Sequence, residues 1–173
     1  NRIMGDAHDM TEILQLTPEV TDTSTERLTI TKGVIGFKDM TFVHSGANDA
    51  IFEKFNLEIK PGERVGLVGH SGSGKTTLTR LMLRFSDVEK GEITIDGQDI
   101  SKVSQASLRE QIAYVPQEPL LFHRSLRENI AYGKPDADDN EIRKAAEKAN
   151  ALEFIKELPE AFDTMVGERG VKL

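Results

Sequence analysis

The chain of 173 residues carries 29 acidic and 22 basic side chains, a formal net charge of −7, and no cysteine. This acidic balance argues against a nucleic-acid-binding protein, which needs clustered Lys and Arg, and the lack of cysteine excludes disulfides and thiolate catalysis. The four histidines show no metal-ligand spacing, and no apolar run approaches the roughly 18–20 residues that span a bilayer.

The chain opens with residues 1–16, whose apolar side chains recur at the period of a helix that ends before Pro18. A stretch rich in Thr, Ser, Asp and Glu follows as far as Thr31 and predicts a polar linker. An amphipathic helix without a packing partner suggests that the chain begins inside something larger. A helix that folds back on its own domain is the alternative.

Strand-like segments come next, at residues 34–43 and 52–59, separated by the loop 44–49. A Pro-Gly turn then leads into residues 64–68, R-V-G-L-V, which predict a short buried strand. The strands ahead of residues 64–68 look antiparallel. They predict a β layer that a bare Rossmann-like core does not need.

Residues 69–77 have the sequence G-H-S-G-S-G-K-T-T, which fits the phosphate-loop pattern G-x-x-x-x-G-K-[ST]. The predicted strand precedes this loop, and apolar residues follow it at helical spacing: Leu78, Leu81, Met82 and Phe85. A strand and a helix on either side are the context that supports the motif. The pattern predicts binding of a nucleoside triphosphate, and the alternative is a Gly/Ser loop that precedes a helix by chance.

The residue types of this loop suit a phosphate chain. Glycines let backbone N–H groups approach the phosphates and adopt positive φ, and the following helix directs its free N–H groups and positive dipole end at them. Lys75 is expected to reach the β and γ phosphates, and the Thr76 hydroxyl to ligate Mg²⁺. The predicted nucleotide-binding residues of the loop are Gly69, His70, Ser71, Gly72, Ser73, Gly74, Lys75, Thr76 and Thr77.

The stretch after the predicted helix contains an alternating strand that ends in Asp96-Gly97, a strong hairpin signal. Asp96 at a strand end resembles an acidic Mg²⁺ ligand, but the half-polar strand and the Asp-Gly pair favour a role in the turn. A short helix is predicted at 107–111 and a buried strand at 112–115. Gln117 follows that strand at its carboxyl end, where open α/β sheets bind ligands, yet the pattern alone favours a solvated loop residue.

The remainder of the chain is predicted to be mostly helical. Acidic residues at 136–139 suit a helix N-terminus, and an apolar stripe then runs from Ile142 to Ile155 before Pro159 ends it. Residues 161–173 return to loop. From about residue 117, the pattern therefore predicts a helical annex on an α/β core.

An ordered set of segments runs along the chain: P-G-E-R-V-G-L-V-G at 61–69, G-E-I-T-I-D-G at 91–97, S-L-R-E-Q-I-A-Y-V-P-Q-E-P-L-L-F at 107–122, S-L-R-E-N-I at 125–130 and V-G-E-R-G-V-K-L at 166–173. Together these segments resemble the nucleotide-binding domain of an ABC transporter of the exporter type, and the resemblance covers nearly the whole chain.

The resemblance implies a fold and a division of the chain. The fold is α/β, with a P-loop NTPase (RecA-like) core, an N-terminal antiparallel β layer and part of a helical subdomain. Residues 1–33 would be a connector helix and linker from a membrane domain, 34–116 the β layer and P-loop core, and 117–173 the Q-loop and the start of the helical subdomain.

The resemblance also assigns roles to individual residues. Gln117 matches the Q-loop glutamine that contacts Mg²⁺ and senses the γ-phosphate, which reverses the interpretation from pattern alone. His44 stands where the family usually has a Tyr that stacks on adenine. Leu121 and Phe122 match the surface touched by the membrane domain's coupling helices, and Glu168 and Arg169 match the X-loop at that interface.

The family's signature loop, Mg²⁺-holding acidic strand, catalytic glutamate and switch histidine would lie beyond Leu173, so we expect an incomplete domain with no catalytic residue except Gln117 in support. The resemblance implies ATP and Mg²⁺ as cofactors. It also implies a transmembrane domain of the same polypeptide and a second nucleotide-binding domain as partners, no nucleic acid, and a location at the cytoplasmic face of the cell membrane.

The expected function is ATP binding within an exporter that couples ATP binding and hydrolysis to transport. A soluble P-loop ATPase or a nucleotide kinase is the alternative enzyme, but a kinase would need Arg-rich lid segments that the sequence does not show. A non-enzymatic interaction module with a vestigial loop is the third hypothesis, and the intact Lys75 and Thr76 argue against it.

Overall fold

A computed structural model describes residues 11, 14–15, 18–47 and 49–167 of the chain. The chain forms two compact units, Asn1–Ala113 and Tyr114–Leu173. The predicted helix at 1–16 lies almost wholly outside the described residues. Among the helices that are described, none has the length and hydropathy needed to cross a bilayer.

The first unit is built on a four-stranded antiparallel sheet. Its strands are β1 (Ile35–Val43), β2 (Ala50–Ile59), β3 (Lys90–Ile95) and β4 (Gln98–Asp99), in the spatial order β2-β1-β3-β4. β1 is one strand with a bulge at Asp39, where φ is 44° and the register with both neighbours shifts. The predicted antiparallel β layer is therefore confirmed.

One face of the sheet carries the hydrophobic core of the first unit. β1 buries Phe37, Met40 and Phe42 on this face, with the bulge at Asp39 adding one residue to the alternation, and β3 adds Ile93 and Ile95. The helices α1 (Lys75–Met82) and α2 (Gln105–Glu110) pack on this core through leucine side chains. Both predicted helices are confirmed.

Two predicted strands are wrong. Within the described residues, neither 64–68 nor 112–115 pairs with a strand, and Val68 and Val115 are 98% and 85% exposed. A buried strand must satisfy its backbone N–H and C=O groups through hydrogen-bonded neighbours. An apolar sequence supplies the side chains for such a strand but not the neighbours.

The carboxyl end of α1 is a Schellman motif. The Arg84 N–H donates to the Leu81 carbonyl at 2.9 Å, and the Phe85 N–H donates to the Arg80 carbonyl at 3.1 Å. Arg84 has φ 51°, in the left-handed region that costs a side chain about 1–2 kcal/mol. An arginine thus occupies the position where such motifs usually have glycine.

The segment 18–34, which we call the strap, has no helix or strand, as expected of a linker, yet it is fixed to the first unit. Leu28 is buried in the core, and its N–H donates to the Ser107 hydroxyl at 3.0 Å. The Ser104 N–H donates to the Glu26 carbonyl at 2.8 Å. The polar composition predicted the irregular backbone but not this anchoring.

The second unit is mainly helical. It contains β5 (Arg124–Ser125), α3 (Leu126–Ile130), α4 (Asp139–Lys148), α5 (Leu152–Glu157) and β6 (Met165–Val166), and β5 pairs antiparallel with β6.

Local signals decide where these helices begin and end. A capping box of Asp138 and Glu141 starts α4, which confirms the acidic helix start. The single apolar stripe predicted from Ile142 to Ile155 belongs to two helices, because Asn150 has φ 55° and breaks the chain between α4 and α5.

Candidate nucleotide-binding site

The glycine-rich loop, residues 69–74, leads directly into α1. Gly72 and Gly74 have φ of 82° and 84°, and Gly74 is the N-cap of α1. A Cβ on Gly74 would lie 2.8 Å from Cγ2 of Ile51 and 2.9 Å from Cζ of Phe52. Glycine at position 74 is therefore required both by backbone conformation and by the close approach of β2.

The Lys75 side chain folds back across this loop. Its Nζ donates to the carbonyl oxygens of Gly69 and His70 at 2.7 and 2.8 Å, and to the Ser73 hydroxyl at 3.3 Å. The ammonium group is thus held at the loop by exchangeable hydrogen bonds. A phosphate oxygen can replace any of these acceptors and gain a charge-assisted bond.

The first turn of α1 is electrostatically suited to an anion. Its N-cap offers no side-chain hydrogen bond, and the turn contains no acidic residue. In α3 and α4, by contrast, the capping side chains of Ser125 and Asp138 accept from the first turn. The helix start at Lys75 therefore presents free N–H groups and a positive dipole end.

A cavity of about 440 Å³ lies over this helix start, within the size range of small-molecule sites. It is lined by His44, Ile51, Ser71, Gly72, Ser73, Gly74, Lys75, Thr76 and Thr77. The structure thus brings most of the predicted loop residues to one cavity. Sequence analysis missed Ile51, because its position in the cavity wall depends on the pairing of β2 with β1.

Thr76, the predicted Mg²⁺ ligand, is exposed in this lining. Within the described part of the chain, no cluster of three or more His, Asp or Glu residues is arranged to hold a metal ion. The Thr76 hydroxyl is thus one neutral oxygen beside the loop. This suits a magnesium ion that takes its other ligands from phosphates and water.

His44 follows β1 and is exposed. Its ring meets the ring of Phe42 edge-on, with 5.1 Å between centroids and 80° between planes. His44 lines the phosphate-loop cavity and also a second cavity of about 490 Å³, whose walls include Glu19 and Asp87. The imidazole therefore lies beside the phosphate loop, and its role in stacking on a base remains a prediction.

The other predicted site residues belong to the second unit or lie outside the described residues. Gln117 is exposed in a segment without helix or strand. Leu121 and Phe122 are partly exposed, and the Phe122 ring stacks on Tyr132 at 4.5 Å. Glu168 and Arg169 are outside the described residues. The roles assigned to these side chains remain predictions.

Asp96 has the turn role that its sequence context favoured. With Gly97, it connects β3 to β4. Its carboxylate accepts backbone N–H groups from Lys32, Gly33, Thr31 and Val34 at 2.7–3.1 Å, and these bonds hold the pKa of Asp96 well below its usual range. Both carboxylate oxygens are used to fix the strap, which argues against a metal ligand.

The chain is similar to known proteins along most of its length. A family model described as ABC transporter matches residues 52–169. The chain is 46% identical over 171 residues to an ATP-dependent lipid A-core flippase of Desulfotalea psychrophila, covering 98% of the chain and 30% of that relative. It is 50% identical over 142 residues to ABC transporter B family member 3 of Dictyostelium discoideum, covering 82% of the chain and 10% of that relative.

A solved structure is similar as well. A bacterial Atm1-family ABC exporter with ATP bound matches with a TM-score of 0.87 and 38% sequence identity, covering 98% of this chain and 30% of that one. The chain thus spans less than a third of the length of each of these relatives.

Proposed function

The chain belongs to the ABC transporter family, and from that premise we propose that it is the ATP-binding part of an exporter that couples ATP binding and hydrolysis to transmembrane export. The observation that carries this proposal is the phosphate loop: two left-handed glycines, the Lys75 ammonium and an uncapped helix start around one cavity. The solved relative, an exporter with ATP bound, supports the same ligand.

In this proposal the phosphate chain lies over the first turn of α1. The backbone N–H groups of the loop bind its oxygens, and Lys75 exchanges a carbonyl partner for the β and γ phosphates. Mg²⁺, when bound beside the Thr76 hydroxyl, would neutralise charge on those phosphates. The protein's own contribution is to position the triphosphate by preorganised dipoles.

The finer roles also belong to the proposal. His44 stacks on adenine, with less ring area than the family's usual Tyr. Gln117 contacts Mg²⁺ and senses the γ-phosphate. Leu121 and Phe122, with Glu168 and Arg169, face the membrane domain.

The partners and location are proposed from the full-length relatives. They are a transmembrane domain of the same polypeptide and a second nucleotide-binding domain that completes an ATP sandwich, at the cytoplasmic face of the cell membrane. Residues 1–33 act as the connector, 34–116 as the P-loop core and 117–173 as the Q-loop and the start of the helical subdomain. Hydrolysis is proposed for the full-length protein, since the chain spans less than a third of the length of its relatives.

The test is an isothermal titration of Mg-ATP into this chain and into Lys75→Ala. We expect saturable binding that weakens about tenfold or more in the variant, because a charge-assisted bond to phosphate is lost. A third titration with ATP and a chelator measures the contribution of Mg²⁺. Equal affinities of wild type and Lys75→Ala would contradict the proposal.

His44 is tested in the same assay. We expect His44→Ala to weaken ATP binding several-fold, because a stacked base contributes about 1–3 kcal/mol, and to leave binding of inorganic triphosphate unchanged. His123→Ala, in the second unit, is the matched control. An unchanged affinity of His44→Ala for ATP would rule out the stacking role.

A further inference from the structure

Arg84, which follows α1 at the end opposite the phosphate loop, is 2% exposed. All five of its N–H donors have acceptors. Nε and Nη2 donate to the carboxylate of Asp87 at 2.8 and 3.4 Å, and Nη2 also donates to the Thr21 carbonyl at 3.2 Å. Nη1 donates to the Asp22 carboxylate at 3.3 Å and to the Val103 carbonyl at 3.1 Å. We call Arg84 and Asp22 the clamp.

Asp22 extends the clamp to a third element. Its carboxylate accepts from the backbone N–H of Gln105 and from the Gln105 side-chain amide, each at 3.1 Å. Gln105 is the first residue of α2. One carboxylate therefore ties the strap, the end of α1 and the start of α2 together.

A second arginine anchors the same end of α1 from the α2 side. Arg109 donates to the carbonyl oxygens of Leu83 and Arg84 at 3.1 and 3.0 Å, and its guanidinium lies 4.9 Å from the ring centre of Phe85. The two carbonyls that directly follow α1 thus accept hydrogen bonds from a cation, which suits the negative end of the helix dipole. α1 cannot shift or rotate without breaking bonds at this end.

The strap also reaches the nucleotide side of the unit. Glu19 and Val20 line the cavity of about 490 Å³, together with His44 and Asp87. His44 also lines the phosphate-loop cavity, and Asp87 is bonded to Arg84. The strap is therefore connected to the surroundings of the site in two ways: it bonds to Arg84 at the end of α1, and it forms part of the wall of a cavity that His44 also lines.

We propose that Arg84 and Asp22 are positioning residues for the nucleotide site, through which ATP at one end of α1 tightens the strap at the other end. This inference rests on the proposed function. Linkage makes the effect reciprocal: if bound ATP stabilises the clamp, an intact clamp must raise the affinity for ATP by the same factor. The attachment of the strap to the first unit therefore responds to nucleotide occupancy.

The experiment combines ATP titration with hydrogen exchange on this chain. We expect Asp22→Ala to weaken Mg-ATP binding about fivefold or more, the lower end of typical coupling between sites. In wild type, Mg-ATP should slow exchange of the Gln105 N–H, which is bonded to Asp22. At an ATP concentration near the wild-type Kd, that protection should be much smaller in Lys75→Ala, because little ATP is then bound.

The matched control is Gln98→Ala. Gln98 holds the other end of the strap through hydrogen bonds with both the N–H and the carbonyl of Thr29, and its side-chain amide also donates to the Ile95 carbonyl in β3. Gln98→Ala should loosen the strap locally and leave ATP affinity within about twofold, as expected of a site outside the coupled elements. Asp22→Asn keeps one acceptor oxygen and serves if Asp22→Ala does not fold; it should also weaken ATP binding more than Gln98→Ala does.

Each outcome decides the matter. Suppose that ATP binding depends on Lys75 but is unchanged in both Asp22 variants, or that ATP does not alter Gln105 exchange in wild type. In either case the clamp has only a structural role, so the inference fails while the proposed function stands. Equal binding of wild type and Lys75→Ala overturns both.

Discussion

The strands β1, β2 and β3 and the segments 64–68 and 112–115 all contain strand-forming apolar residues, but only β1, β2 and β3 form a sheet. Ile93 and Ile95 of β3 are each 3% exposed, whereas Val68 and Val115 are almost fully solvated. β1 lies between β2 and β3, and a two-residue turn joins β3 to β4, while the two segments have no strand neighbour in the described residues. A strand-forming sequence therefore becomes a strand only where the chain supplies its neighbours.

The largest expected loss of stability comes from truncating a buried side chain in the core of the sheet. Phe37→Ala should lower the free energy of unfolding by about 3–5 kcal/mol, because the ring is 2% exposed and packs edge-on against Phe55 at 5.7 Å. Urea denaturation measures the change. Phe85→Ala is the control: this ring is 47% exposed and should cost about 1 kcal/mol. Equal losses would show that the sheet is no better packed than the surface.

The second prediction concerns the bulge that bends β1. Gly91 has φ 76°, and a Cβ there would clash with the carbonyl oxygens of Lys38 and Asp39. Gly91→Ala should therefore cost about 2–4 kcal/mol, the sum of left-handed backbone and overpacking.

Gly97→Ala separates these two terms. Gly97 has nearly the same φ, 77°, but a Cβ would meet nothing within 4 Å, so the expected loss is only the left-handed term, about 1 kcal/mol. Thermal unfolding measures both variants. If Gly91→Ala and Gly97→Ala lost the same stability, the close approach of residue 91 to the bulge carbonyls would have no energetic effect.

Local signals made much of this structure predictable. The glycine-rich loop, the Asp-Gly hairpin and the capped helix start at Asp138 are each set by residues within a few positions of one another. The strap's anchors were not predictable, because the acceptor role of Asp96 for four strap N–H groups appears only once the hairpin has folded. Arg84 was missed for the same reason: nothing around position 84 in the sequence indicates that Asp22 will meet it.

The third prediction uses the pKa of Asp96, which is lowered below its ordinary 3.8 by the strap's N–H groups. The pKa of Asp96 is lower in the folded state than in the unfolded state. The ionised carboxylate therefore stabilises the folded state above about pH 4, and this stabilisation is lost as the pH falls toward the folded-state pKa. Melting temperatures of wild type and Asp96→Asn should therefore differ by a constant amount from pH 5 to 8 and converge in more acidic buffer. Asp49→Asn is the control for the change in net charge. If the difference in melting temperature between wild type and Asp96→Asn stayed the same at low pH, ionisation of Asp96 would not be the source of the stabilisation.

The smallest expected effect is the sharpest test of the comparison. A charge placed in a buried strand costs several kcal/mol, but Val68→Asp and Val115→Asp should each change the free energy of unfolding by less than about 0.5 kcal/mol, since both side chains are almost fully solvated. Urea unfolding without nucleotide measures this, with Ile93→Asp as the buried counterpart. A loss at Val68 or Val115 comparable to that at Ile93 would mean that the segment is a buried strand after all, and that the apolar sequence alone had identified it.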